Sequence, residues 1–92
     1  MITVDAKAEK IFRSAIEIRR RLSTTFRFDG YFVRFSVELA RANDAVDVGA
    51  AAWALADDLE NSVVPDELQH EWAVIIAASA RCLYEDVVAA YC

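Results

Sequence analysis

The chain has 92 residues and a mass of 10.3 kDa, with 57% hydrophobic residues, 27% charged residues and a formal net charge of -5 at pH 7. This length suits a single domain over residues 1–92, and the hydrophobic fraction excludes a disordered tail. Two Gly and one Pro exclude a loop-rich chain, and two Cys exclude a disulfide scaffold.

The first element is predicted over residues 5–22, where apolar side chains recur at steps of three and four. The residues of this stripe are Ala8, Ile11, Phe12, Ala15, Ile18 and Leu22. Thr3 suits the N-cap, and most charged residues share the opposite face. Arg19 is the exception, since it falls beside the apolar stripe. An amphipathic helix is therefore expected here.

Residues 23–43 allow two structures. One is a β-hairpin over residues 24–37, because Asp29-Gly30 lies between alternating aromatic and β-branched residues. The other is a helix over residues 31–42 with Asp29 as its N-cap. The stripe of that helix would comprise Phe32, Phe35, Leu39 and Ala42. A lone hairpin is marginally stable and its surroundings are helical, so the helix is preferred.

A third helix is predicted over residues 44–60, which are rich in alanine and lack proline. Its stripe comprises Val48, Ala52, Leu55 and Leu59. Gly49 interrupts this segment as a tolerated weakness. Trp53 falls away from the stripe, and we expect it either to be an exposed anchor for a partner or to pack on a fourth helix.

A fourth helix is predicted from Pro65 to about Tyr91, because proline suits the first helical position. Its main stripe comprises Leu68, Trp72, Ile75, Ile76, Leu83 and Val87. Trp72 is accordingly expected in the core. Further apolar residues lie on the other side of this helix: Val74, Ala77, Tyr84, Val88 and Tyr91. A helix that is apolar nearly all round is central or covered by a partner.

Asp86 is an unexpected charge on the face of Leu68 and Ile75. A buried carboxylate needs a cation beside it. Asp86 therefore either lies at a solvated helix end, which is the favoured interpretation, or pairs with Arg19.

Together these elements predict an all-α fold, a compact four-helix domain. The alternative is an α+β fold in which a hairpin at residues 24–37 packs on three helices. In either case a chain of this size buries only about 60–70% of its unfolded surface, so the apolar excess is expected to form an interface.

Charge is divided between the two halves of the chain. Residues 1–42 hold nine Lys or Arg and five Asp or Glu, a balance of +4, and residues 43–92 hold one Arg and ten Asp or Glu, a balance of -9. Antiparallel packing of the halves would neutralise these charges. An acidic surface that steers a basic partner is the functional interpretation.

The function predicted from these surfaces is binding rather than catalysis. The favoured hypothesis is a small inhibitor or neutraliser that presents an acidic surface to a basic site on another protein; immunity proteins, antitoxins and phage anti-defence factors share this size and charge. The candidate partner-binding residues are Trp53, Asp57, Asp58, Glu60, Asp66 and Glu67. The alternative is a homodimeric structural or adaptor protein joined through the C-terminal helix. Its candidate interface residues are Val74, Tyr84, Val88 and Tyr91.

Catalytic and metal chemistry find little support in the sequence. Glu67 and His70 have the Glu-x-x-His spacing of a di-iron bundle, but that site needs two such motifs and the chain has one His. No nucleophile is paired with a base, and Gly30 and Gly49 alone cannot form a phosphate loop. We expect no cofactor, no metal and no enzymatic activity.

Nucleic-acid and membrane partners are also disfavoured. Arg residues recur every seven positions in the N-terminal half, but a net charge of -5 repels phosphate. The longest uncharged apolar run, residues 72–80, is far shorter than the roughly 20 residues of a spanning helix. A cytoplasmic protein with free thiols at Cys82 and Cys92 is therefore expected.

Overall fold

The computed structural model describes residues 6–24, 29–61 and 67–91. Within these ranges the chain forms four α-helices and no strand. They are α1 (Ala6–Ser23), α2 (Asp29–Arg41), α3 (Ala45–Glu60) and α4 (Glu67–Tyr91). Each helix packs on the next one along the chain, and α1 closes the bundle by packing on α4. The predicted all-α fold is confirmed, whereas Thr3 and Pro65 lie outside the described residues.

The hairpin alternative is wrong, because its second strand lies within α2. The helical arrangement buries Phe35 almost completely, with Phe32 and Leu39 packed against the same core. A hairpin would have aligned Phe35 with Tyr31 and Val33 instead. Val33 is exposed on the outer side of α2, so tertiary packing decided a segment whose local pattern was ambiguous.

Helix α1 follows its predicted periodicity. Ile11, Ala15, Ile18 and Leu22 are buried, and the opposite side carries ion pairs between residues one turn apart. These pairs are Arg13–Glu9 and Arg20–Glu17. They stabilise an exposed helix surface without contributing to the core.

Helix α3 is capped at both ends by its own side chains. The Asp44 carboxylate accepts a hydrogen bond from the Asp47 amide at 3.0 Å, and the Asp47 carboxylate accepts one from the Asn43 amide at 2.9 Å. At the other end the Asn61 side chain donates to the Asp57 carbonyl at 2.8 Å. At the start of α3 these bonds satisfy amides that lack partners within the helix, and at its end Asn61 binds the Asp57 carbonyl through both its side chain and its backbone N–H.

The α3–α4 interface is the most extensive in the bundle and is built largely from small side chains. Buried residues of α3 are Ala45, Val48, Gly49, Ala51, Ala52, Leu55, Ala56 and Leu59. Those of α4 are Ala73, Ile76, Ala77, Ala80, Leu83 and Val87. The two helices run antiparallel, since Gly49 near the start of α3 meets Val87 near the end of α4.

Gly49 is required by this close approach. A Cβ atom at position 49 would lie 2.8 Å from Val87 Cγ1 and 3.0 Å from Val87 Cβ, both too close for unstrained carbon contacts. The prediction that this glycine is a tolerated weakness is therefore wrong.

The predicted stripe of α4 is wrong in its first half. Leu68 is 61% exposed, Trp72 42% and Ile75 47%, so Trp72 does not belong to the core. The buried face instead uses alanines at positions 73, 77 and 80. Alanine contrasts weakly with polar residues in a hydropathy pattern, so the alanine face gives little signal. Leu68, Trp72 and Ile75 dominate the pattern, but they lie outside the contact with α3.

The hypothetical ion pair between Arg19 and Asp86 is not formed, since both residues are exposed and α4 packs on a different side of α1. Lys10, Ser14 and Arg21 line the α1 side of the space between α1 and α4. Arg19 points about 140° away from Ser14 around the helix. The solvated position favoured for Asp86 agrees with its exposure.

We expect Gly49→Ala to lower the free energy of unfolding by about 1–3 kcal/mol, because overpacking against Val87 outweighs the roughly 1 kcal/mol by which alanine favours a helix. Urea unfolding followed by circular dichroism measures this change. A Val87→Gly background lacks both the Cβ and the Cγ1 atom of Val87, so Gly49→Ala should stabilise the protein there. Stabilisation in both backgrounds would contradict the close approach.

The side-chain hydroxyl of Ser36 is buried in α2 and has no hydrogen-bond partner among the described residues. Ser36→Ala should raise the free energy of unfolding by about 1 kcal/mol, because it removes an unsatisfied hydroxyl and improves helix propensity. Ser79→Ala is the matched control, since the Ser79 hydroxyl donates to the Ile75 carbonyl at 3.0 Å. Equal effects of the two substitutions in the same urea assay would contradict this expectation.

Candidate functional site

Trp53 lies on the outer side of α3 with 45% of its surface exposed. The guanidinium carbon of Arg81, from α4, lies 5.5 Å from the centroid of its ring. Arg81 is itself fixed, since its Nε and Nη2 atoms donate to the Glu60 carboxylate at 3.1 Å and 2.8 Å. The indole is thus held by a cation–π contact whose cation is anchored to the same helix as Trp53.

The Glu60–Arg81 pair also sets the charge of these groups. The hydrogen bond from Arg81 lowers the pKa of Glu60 below its ordinary value. The same bond raises the pKa of Arg81, and the negative charge of Asp57 nearby adds to this effect. Both groups are therefore ionised at neutral pH.

Two of the predicted carboxylates share the side of α3 that carries Trp53. Asp57 and Glu60 follow it at steps of four and three residues, which is the spacing of one helix face. Glu60 is exposed and Asp57 is half-buried. The structure therefore brings Trp53, Asp57 and Glu60 together.

Asp58 lies on a different side of α3, about 140° around the helix from Trp53. Its carboxylate accepts a hydrogen bond of 2.8 Å from Arg34 Nη1, so it ties α3 to α2. Glu67 is exposed at the start of α4, and Asp66 lies outside the described residues. The predicted acidic set is thus divided between two sides of the bundle.

The four predicted dimer residues lie on one side of α4, together with Arg81. Val74, Val88 and Tyr91 are exposed, and Tyr84 is half-buried. Because Arg81 reaches across to Trp53, this side of α4 continues into the Trp53 side of α3. We name this surface the α3–α4 face: it comprises Val46, Trp53, Asp57, Glu60, Val74, Arg81, Tyr84, Val88 and Tyr91.

The sequence pattern assigned Trp53 and the C-terminal apolar residues to two alternative interfaces, whereas the structure joins them into one surface. The contact of Arg81 with Trp53, which connects the two parts, was not predicted from the sequence. The available signal was composition, since Arg81 is the single Lys or Arg in residues 43–92. An isolated cation among ten carboxylates is a natural centre for charge pairing.

Metal-ligand clusters and membrane-spanning helices are both absent from the described ranges. Within them, no three His, Cys, Asp or Glu side chains are close enough to hold a metal ion. None of the described helices has the length and apolar character needed to cross a bilayer.

Comparisons with protein-family models, curated proteins and solved structures gave no match.

We expect acid to release Arg81 from Trp53. Protonation of Glu60 removes the acceptor of Arg81, and because the pKa of Glu60 is lowered, the contact is complete above the ordinary value of 4.5 and is lost as the pH falls below it. A Trp72→Phe variant keeps Trp53 as its single tryptophan, whose fluorescence then reports the change. The same fluorescence transition in Glu60→Gln, with circular dichroism unchanged, would contradict this assignment.

Proposed function

We propose that this chain is a non-enzymatic protein that binds another protein through the α3–α4 face and neutralises it by covering a basic site. The observation that carries this proposal is Trp53, an exposed indole held in place by Arg81 and Glu60. Exposed tryptophan is enriched among the residues that contribute most binding energy.

The fixed position of Trp53 favours binding. Ordering a mobile side chain at an interface costs about 0.5–1.5 kcal/mol, and contact with Arg81 reduces that cost before any partner arrives. Apolar side chains of α4 extend the surface around it, notably Val74 and Val88. The face thus combines an aromatic anchor with apolar area.

The charge around Trp53 favours a basic partner. Arg81 is paired with Glu60, while Asp57 adds a carboxylate beside them and Glu67 and Glu85 lie exposed along α4. Such a surface attracts a positively charged protein and accelerates its association. An enzyme whose nucleic-acid site is rich in Lys and Arg has the chemistry that this face would cover.

A homodimer through Val74, Tyr84, Val88 and Tyr91 is the second candidate, because three of these side chains are exposed on one side of α4. Two-fold pairing across the α3–α4 face would bring together two copies of a surface on which carboxylates, Asp57 and Glu85 among them, outnumber cations. Like charges in such a contact are unfavourable. A basic protein is therefore the preferred partner.

The test uses a photoreactive amino acid at Val88, on the α3–α4 face, and the same amino acid at Val33 as a matched control. Both valines are exposed, and Val33 lies on the outer side of α2. In cells that produce the protein naturally, we expect position 88 to cross-link a different protein at a site rich in Lys and Arg. Position 33 should not capture that protein.

Trp53→Ala in the Val88 probe chain should abolish this cross-link, and it should weaken binding to the purified partner by about 30-fold or more, the effect of losing a hot-spot residue. Asp57→Lys should weaken binding and reduce its salt dependence. Asp58→Lys is a poor substitute, because it would place a cation against Arg34. Cross-linking only to another copy of this chain, or binding unaffected by Trp53→Ala, would contradict the proposal.

A further inference from the structure

A second surface runs between α1 and α4, on another side of α4 from the α3–α4 face. Its apolar residues include Ile18 of α1 and Ile75 and Leu83 of α4, and the polar side chains of Ser14, Ser79 and the exposed Asp86 line it beside them. Leu68 and Trp72 continue the stripe of Ile75 toward the start of α4, at steps of four and three residues. We name this surface the α1–α4 groove.

The large exposed residues of this stripe form one contiguous apolar surface. Leu68 is 61% exposed, Trp72 42% and Ile75 47%, and the spacing of the three makes a continuous line along α4. A contiguous apolar line of this kind is typical of an interface.

The two edges of the groove carry opposite charges. The α1 edge is basic, and its cations are Lys10, Arg13, Arg20 and Arg21, with Glu17 between them. The α4 edge is acidic, since Glu71, Glu67 and Glu85 lie about 40–80° around the helix from Ile75. Leu83, which lines the groove beside α1, lies about 80° in the other direction.

A groove with one basic and one acidic edge is complementary to a copy of itself. Rotation by 180° about an axis that runs along the groove, in the plane of contact, places the basic α1 edge of one copy over the acidic α4 edge of the other, and this contact occurs twice. The two apolar stripes meet between these edges. We propose that two copies of this chain pair through the α1–α4 groove about such a two-fold axis.

The ion pairs within one chain leave the charged side chains of the α1 edge accessible to a second copy. Arg13 and Arg20 pair with Glu9 and Glu17 of their own helix, and their side chains remain 77% and 69% exposed. Among the described residues, Arg34–Asp58 is an ion pair that joins the basic half of the chain to the acidic half. The charges that divide the sequence are thus largely exposed, where a second copy can reach them.

This inference does not depend on the proposed function, because its apolar stripe lies on a different side of α4; Glu67 and Glu85 border both surfaces. The first test measures mass by light scattering after size exclusion, across a concentration series and under reducing conditions that keep Cys82 from cross-linking. We expect a dimer for the unmodified chain. Ile75→Glu should raise the dissociation constant at least tenfold, whereas Val33→Glu, at an exposed valine of α2, should not.

The second test separates the charge pairing from general damage to the fold. One variant carries Glu71→Lys and Glu85→Lys, and the other carries Arg13→Glu and Arg20→Glu. Each variant alone brings like charges together and should be monomeric at concentrations where the unmodified chain is dimeric. An equimolar mixture should form dimers, since both edges are again complementary.

Several results would overturn the pairing. A monomer at every concentration would do so, as would a dimer that survives Ile75→Glu. Dimers lost in Val88→Glu but retained in Ile75→Glu would assign self-association to the α3–α4 face instead. Failure of the mixed charge variants to form dimers, while circular dichroism shows both folded, would exclude the two-fold arrangement.

Discussion

The close packing of α3 on α4 is the constraint on which the rest of the molecule depends. Alanines and Gly49 let the two helices approach until position 49 has no room for a Cβ atom beside Val87. The side of α4 that meets α3 is built around Ala73, Ala77 and Ala80. Trp72 and Ile75 are therefore displaced to one flank of α4, and Val74 and Val88 to the other. Both candidate binding surfaces follow from this single packing choice.

The cations of the two halves of the chain contact different kinds of neighbour. Arg81 is the single cation in the acidic half of the chain, and it serves three neighbours: it bonds Glu60, covers Trp53 and lies near Asp57. The cations of α1 pair chiefly along their own helix. The bundle is consequently held together by apolar contacts, while its charges shape the two surfaces that face outward.

Periodicity was sufficient to predict the four helices and the buried stripe of α1, because the residues on that face contrast strongly with their neighbours. It failed for Trp72, since an alanine face carries little hydropathy signal even when it forms the core. It could also not relate Trp53 to Arg81, which are close only after two helices pack. Asp57 and Asp58 show the limit of sequence proximity: one residue turns the side chain by about 100°, and the two carboxylates serve different sides of the bundle.

The position of α4 between two outward surfaces has a consequence for valency. If the α1–α4 groove joins two copies, each assembly carries two α3–α4 faces that remain accessible. A target that repeats its basic site, or that is itself dimeric, would then meet the second face at an effective concentration of about millimolar once the first has bound. A modest affinity at each Trp53 would in this way produce a long-lived complex without any additional contact.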